Sequence, residues 1–375
     1  MKIILAGGGT GGHTFPLIAV LREIKKQSLN VINFLYLGPK DAFSESLFLK
    51  EGIKISFCSA GKIRRYSGIS TFFENIKDIF FVIPLGILQA FIKIFFYAPD
   101  LIFSKGGYGS LPVVIAGTLL RVPIVMHESD TIPGQANRLI SSFAFKIYVA
   151  FDKKNVSFFP LKKMESVGNP IRETVLNGSP GKAKELLKLN FKKPTILVLG
   201  GSQGSVRINE LIIQIAPQML KLFEIIHQTG NKDFRRVKKY TSALIPKELK
   251  SDYHIYPFLN EKELQSAYTA SDLIVARAGA GTIFEISANG KPSILIPLPE
   301  SAQNHQLKNA LTYAKLTKSA IVIEEKNLTP NFFLGEIKNI FEFKNIKEMQ
   351  KNAKEFGKTN SAEIIAKDII KFLET

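Results

Sequence analysis

The chain has 375 residues, 45% of them apolar and 22% charged, which excludes a disordered protein and leaves room for two or three domains. Against 32 Asp and Glu stand 50 Lys and Arg, a formal charge of +18 that points to phosphate-bearing partners: nucleotides, nucleic acid or an anionic membrane surface. The single cysteine, Cys58, excludes a disulfide framework and a cysteine-based zinc site.

At the start of the chain, Ile3–Ala6 is too short for the apolar region of a secretory signal, about 7–15 residues, and reads as a buried strand. Short apolar runs then alternate with longer helical stretches, the pattern of open parallel sheets covered by helices on both faces. Strands are expected at Lys2–Ala6, Asn33–Leu37, Lys54–Phe57, Leu101–Phe103, Ile124–His127 and Lys146–Val149. The pattern restarts with Thr195–Leu199, Glu224–Gln228, His254–Tyr256, Leu273–Ala276 and Ser293–Ile296. Between the halves the turn-forming Gly168-Asn169-Pro170 suits a hinge. Domains are therefore expected over 1–167 and 168–345, followed by a Lys-rich helical tail over 346–375.

Phe72–Tyr97 stands apart. Ile79–Ile92 carries no charge, yet it is shorter than the roughly 18–20 residues of a spanning helix and contains Pro84 and Gly86. The stretch reads first as one or two buried helices of the first domain, with a membrane-contact surface as the competing reading.

Three glycine loops follow predicted strands: Gly7-Gly8-Gly9-Thr10-Gly11-Gly12-His13, Lys105-Gly106-Gly107-Tyr108-Gly109-Ser110 and Gly200-Gly201-Ser202-Gln203-Gly204-Ser205. Glycines there let backbone N–H groups approach a phosphate or sugar, and a following helix N-terminus favours negative charge. Their split between two halves suggests one cleft facing phosphates from both sides. Gly7-x-Gly9-x-x-Gly12 fits a dinucleotide fingerprint, but the second strand ends Leu37-Gly38-Pro39-Lys40, without the acid that would hold a ribose. None of the loops fits a P-loop. His13 closes the first loop at a helix start, where an imidazole of ordinary pKa near 6.5 suits proton removal from a hydroxyl. There is no Asp-x-Asp to hold a nucleotide-bound metal, and no recognition-helix or RNA-binding motif. Neither metal nor cofactor nor nucleic acid is expected.

Further motifs complete a pattern: Phe15-Pro16, His127-Glu128-Ser129-Asp130, Gly168-Asn169-Pro170-x-Arg172, Arg277-x-Gly279-Ala280-x-Thr282-x-x-Glu285 and Asn304-His305-Gln306-x-x-Asn309-Ala310. With the glycine loops, and in this order, they resemble the MurG family of peptidoglycan N-acetylglucosaminyltransferases over essentially the whole chain. The resemblance implies an α/β GT-B fold, two Rossmann-like domains facing a central cleft, with a C-terminal helix returning to the first. It implies transfer of GlcNAc from UDP-GlcNAc to the 4-hydroxyl of undecaprenyl-diphosphate-linked MurNAc-pentapeptide, by a peripheral protein at the cytoplasmic face of the bacterial membrane.

The same resemblance implies site residues. His13 becomes the candidate base, with Asp130 as the alternative; many family members carry Asn there, and an ionised Asp accepts but cannot donate. Donor contacts are implied for Thr10, Gly11 and Gly12, for Asp130 and Arg172, and for the amides around Ser202, which would meet the charge developing on UDP. Leu259, with Phe258 beside it, would meet uracil. Ala280, Gly281, Thr282, Ile283 and Phe284 would lead to Glu285 on the ribose, and Gln306, next to His305, would meet the sugar. Lys105, Gly106, Gly107, Tyr108 and Ser110 would meet the acceptor, and His127 reads as structural. Another GT-B enzyme, such as a lipid glycosyltransferase or a UDP-GlcNAc 2-epimerase, is the alternative function, and a non-catalytic membrane scaffold a further one.

Overall fold

Every expected strand forms: each is a short run rich in β-branched, leucine or aromatic residues, and the central ones are buried on both faces of a parallel sheet. In the computed structural model, which describes all residues except 9, 10, 63, 65–68, 202, 344, 345 and 375, the chain divides into two units. One comprises residues 1–172 and 359–375, the other 173–358. The division falls after Arg172 rather than at the glycine-proline turn.

The first unit holds β1 (Lys2–Ala6), β2 (Asn33–Gly38), β3 (Lys54–Phe57), β4 (Leu101–Ser104), β5 (Ile124–Glu128), β6 (Lys146–Val149) and β7 (Met164–Ser166). They form one parallel sheet in the order β3-β2-β1-β4-β5-β6-β7. The second unit holds β8 (Thr195–Leu199), β9 (Glu224–Gln228), β10 (Tyr253–Tyr256), β11 (Leu273–Ala276), β12 (Ser293–Leu295) and β13 (Ala320–Val322). Its order is β10-β9-β8-β11-β12-β13, again parallel. The strands absent from the sequence reading, β7 and β13, are three-residue edge strands too short to show a period.

In both sheets the strand order reverses at the centre, between β1 and β4 and between β8 and β11. Ligands of open parallel sheets bind outside the carboxyl ends of the strands at such a reversal. The three glycine loops follow β1, β4 and β8, and the Arg277 motif follows β11. The topology thus gathers the recognisable motifs of each unit at that unit's own switch point.

The expected tail is two helices with different homes. Ile346–Phe356 stays with the second unit, whereas Ser361–Glu374 belongs to the first. Ala362, Ile365, Ala366 and Ile369 recur at helical spacing and pack in one core with Leu17, Leu21 and Tyr148. Asp368 accepts hydrogen bonds from Lys146 and from the Tyr148 hydroxyl, both on β6.

The stretch read first as core is a continuous 28-residue helix, Ser70–Tyr97, and that reading is corrected. A π-type turn over Asp78–Val82 precedes Pro84, so the missing proline N–H falls where the helical ladder is already offset. Gly86, Ala90 and Ile94, four residues apart, are buried. Gly86 is required there: a Cβ would stand 1.9 Å from the Ser59 carbonyl oxygen. The aromatic residues face outward, with Phe80 68% and Phe81 69% exposed. By length and composition alone this helix is long and apolar enough to cross a membrane.

Candidate active site

In the first unit β1 delivers the chain into Gly7 and Gly8. The Tyr36 hydroxyl donates to the Gly7 carbonyl at 2.9 Å, and a Cβ on Gly8, whose φ is +113°, would meet that hydroxyl at 2.2 Å. No other residue fits. The helix Gly11–Gln27 then starts, and its first turn carries Gly11, Gly12 and His13. The His13 imidazole lies against Gly107: a Cβ there would stand 2.3 Å from His13 Cε1, and Gly107 has φ +78°. Two glycine loops distant in sequence are thereby brought onto one side chain. Thr10 and Ser202 lie outside the described residues.

The second loop is held from below by a buried polar network. Asn137 Oδ1 accepts from the Gly107 N–H at 2.6 Å, and a Cβ on Gly106 would collide with the same amide. Asn137 Nδ2 donates to Glu128 Oε2 at 2.6 Å, and Glu128 Oε1 accepts from the Asp130 N–H at 2.9 Å. Lys105 Nζ donates to Ser129 Oγ at 2.7 Å, which donates to Asn169 Oδ1 at 2.5 Å. Burial pushes Glu128 above the usual carboxylate range; Asp130 adds to the rise and Lys105 opposes it. Burial likewise lowers Lys105, against the pull of Glu128 and Asp130. Lys105 is enclosed, and its Nζ braces this network by donating to Ser129. Ser110 Oγ donates to the Gly107 carbonyl at 3.1 Å and closes the short turn that carries Tyr108.

His127 is fully buried, with Nε2 donating to the Gly168 carbonyl at 2.9 Å. Burial first, then Lys105, holds its pKa well below the ordinary value, so it is a neutral structural group. Arg172 is buried, its guanidinium 3.7 Å from the centre of the Phe15 ring. It therefore belongs beside the first glycine loop.

In the second unit β8 leads through Gly200 and Gly201 to Ser205, which caps the helix Val206–Met219 by accepting from the Ile208 N–H. Arg277 Nη2 donates to that Ser205 hydroxyl at 2.7 Å and Nη1 to the Ile296 carbonyl at 3.2 Å, while Glu325 pairs with both Arg277 and Arg207. The helix Ala280–Ala288 carries Ala280, Gly281, Thr282, Ile283, Phe284 and Glu285. Ile283 and Phe284 point into the core, which leaves only their backbone for a ligand. Glu285 is half-buried, and its Oε2 accepts from the Tyr268 hydroxyl at 3.0 Å. Leu259 is buried, with Phe258 beside it 37% exposed. Gln306 Oε1 accepts from the Leu298 N–H at 3.0 Å, at the start of a helix entered through Gln303 and Asn304, both at positive φ.

Residues 3–149 match the glycosyltransferase family 28 N-terminal domain, and residues 195–369 match its C-terminal domain. The chain is 36% identical, over 98% of each sequence, to the UDP-N-acetylglucosamine–N-acetylmuramyl-(pentapeptide) pyrophosphoryl-undecaprenol N-acetylglucosamine transferase of Clostridium tetani. It is 35% identical over 94% of each sequence to transferase 2 of that name from Bacillus cereus. The chain belongs to the MurG family.

A crystal structure of Acinetobacter baumannii MurG shares the GT-B fold, with TM-score 0.73 and 22% identity over 99% of both chains. The Neisseria meningitidis UDP-GlcNAc 2-epimerase, with TM-score 0.66 and 13% identity over 99% of this chain and all of its own, shares that fold alone. Within this MurG-family chain the sequence reading missed the supporting groups Asn137, Tyr36 and Tyr268. Each acts across 17 or more residues, and no local motif announces it.

Proposed function

We propose that the protein transfers N-acetylglucosamine from UDP-N-acetylglucosamine to the 4-hydroxyl of the N-acetylmuramyl-(pentapeptide) carried on undecaprenyl diphosphate, with inversion at the anomeric carbon. The observation that carries this reading is the 36% identity to a transferase so named over 98% of both chains.

In this reading the second unit binds the donor. The backbone at Leu259 meets the uracil and Glu285 accepts from the ribose hydroxyls. The amides near Ser202, ahead of the helix Val206–Met219, receive the charge that develops on the leaving UDP. Thr282 supports the diphosphate and Gln306 the sugar. The first unit supplies His13, which takes the proton of the attacking hydroxyl as the bond to the anomeric carbon forms and the bond to UDP breaks. Its position against Gly107 supports that role, as does the bracing of the Gly106–Ser110 loop by Asn137 and Lys105. Asp130, its N–H anchored on Glu128, is assigned to the donor sugar.

The acceptor's lipid tail stays in the bilayer, and the helix Ser70–Tyr97 supports contact with it at the cytoplasmic face. One stripe, Gly86, Ala90 and Ile94, is packed on the protein while Phe72, Phe80, Phe81 and Phe96 are exposed. A helix seated on a folded domain through its C-terminal half suits lying in the interface, and the exposed Lys62 and Lys77 add attraction to anionic headgroups, about 1 kcal/mol per charge near the surface.

The test is transfer of radiolabelled GlcNAc from UDP-GlcNAc to a lipid-linked MurNAc-pentapeptide analogue. The expected result is a β-1,4-linked disaccharide product; saturable UDP binding without transfer would overturn the enzymatic reading.

A further inference from the structure

Gln228 ends β9, is 5% exposed, and belongs to none of the motifs in the sequence. Its side chain joins two segments that the sequence keeps far apart. Nε2 donates to the Gly201 carbonyl at 3.0 Å, and Oε1 accepts from the Leu259 N–H at 3.0 Å. A carbonyl only accepts and an N–H only donates, so the amide has a single orientation that satisfies both ends. The next residues continue the same junction. A Cβ on Gly204 would stand 2.1 Å from the Thr229 carbonyl oxygen, and one on Gly230 would stand 2.3 Å from that of Gln203. The glycine loop after β8 is therefore moulded on the end of β9, and Gln228 is the side chain that extends this template to Leu259.

We propose that Gln228 is a positioning residue that fixes the phosphate-facing loop at Gly201 against the base-facing backbone at Leu259, so that a nucleoside diphosphate meets both at a preset separation. This rests on reading the second unit as the donor-nucleotide site. Two binding segments held rigidly relative to each other let the second half of a ligand bind without a fresh ordering cost. Released from one another, they bind the halves nearly as before and the whole ligand less well.

The experiment compares uridine with UDP by titration calorimetry on the full chain, for the natural protein, Gln228→Glu and Gln228→Leu, at pH 8. In Gln228→Glu the carboxylate still accepts from the Leu259 N–H but faces the Gly201 carbonyl with no proton to donate. It is expected to keep uridine affinity within about twofold while the advantage of UDP over uridine shrinks about tenfold or more. Gln228→Leu, which breaks both hydrogen bonds without adding charge, is expected to lose more affinity for UDP than for uridine. Should that variant prove unfolded by circular dichroism, the ratio in Gln228→Glu decides alone. An unchanged UDP-to-uridine ratio in Gln228→Glu overturns the proposal, and so does an equal loss for both ligands, the signature of general fold support. A natural protein that binds no UDP overturns the donor-site reading and the proposal with it, whereas variants that match a UDP-binding natural protein overturn the proposal alone.

Discussion

The site's chemistry depends on small residues that let larger ones approach. Gly107→Ala adds a methyl 2.3 Å from His13 Cε1 at a φ of +78°. A displacement of about 1 Å at a reacting group costs about a hundredfold in rate. The variant is expected to lose kcat on that scale in the transfer assay while UDP binding persists. Gly52→Ala is the matched control: φ is +68° but no atom lies within 4 Å, so only backbone strain, about 1 kcal/mol of stability, is expected, with kcat unchanged. Glu285→Ala removes charge-assisted hydrogen bonds to a ribose and should weaken UDP by roughly 2–4 kcal/mol. A 2′-deoxy-UDP that inhibits the natural protein as well as UDP does would remove Glu285 from that role.

At the scale of elements, the joint between β9 and the helix Val206–Met219 contains a pH-sensitive group. His227 is fully buried; its Nε2 donates to Asn209 Oδ1 at 3.0 Å, and its Nδ1 lies 2.8 Å from the Tyr253 hydroxyl, which donates to it when the ring is neutral. Burial pulls its pKa down to about 3, with Asp233 opposing the shift. The folded state therefore binds fewer protons than the unfolded chain between pH 3 and about 6.5. The stability that this group supplies is complete above pH 6.5 and falls by about 1.4 kcal/mol per pH unit below it. In urea unfolding, His227→Gln is expected to be less stable than the natural protein at pH 7 and to lose about 2 kcal/mol less between pH 7 and pH 5. The apolar helix makes a separate prediction. Phe80→Ser and Phe81→Ser remove exposed rings, so sedimentation with anionic liposomes should weaken in each, while the melting temperature and UDP affinity stay unchanged. Unaltered liposome binding by the double variant would take the membrane role away from this helix.

Across the whole molecule, the last helix is a structural part of the first unit although the entire second unit, residues 173–358, separates them in sequence. Ile365 is fully buried and Ile369 is 1% exposed in the core that contains Leu17 and Tyr148. Replacing either by Ala should cost about 2–5 kcal/mol. Hydrogen exchange should show the loss in residues 1–172 and leave 195–343 protected, since the second unit has its own core around Ile196, Ile212 and Phe333. Equal loss of protection in both units would mean that the molecule unfolds as one body.

What the sequence determines by itself is what short-range sterics and periodicity encode. Most of the parallel strands are legible because they are brief runs rich in Ile, Val, Leu and Phe between turns. The glycine loops are legible because only glycine tolerates the φ of Gly8, Gly107 and Gly204, and because helices follow at once. The motif order that marks the family is legible for the same reason. Tertiary structure decides which surface an apolar segment meets. Phe72–Tyr97 has the composition of a core helix, but composition does not say which side a helix presents; only its seating through Gly86, Ala90 and Ile94 leaves the phenylalanines outside. Tertiary structure likewise places the C-terminal helix on β6 and assigns Asn137 to Gly107 and Gln228 to Gly201 and Leu259. A polar side chain's partner is fixed by which backbone groups the fold leaves unpaired beside it, and that is settled only when distant strands take their places in the sheet.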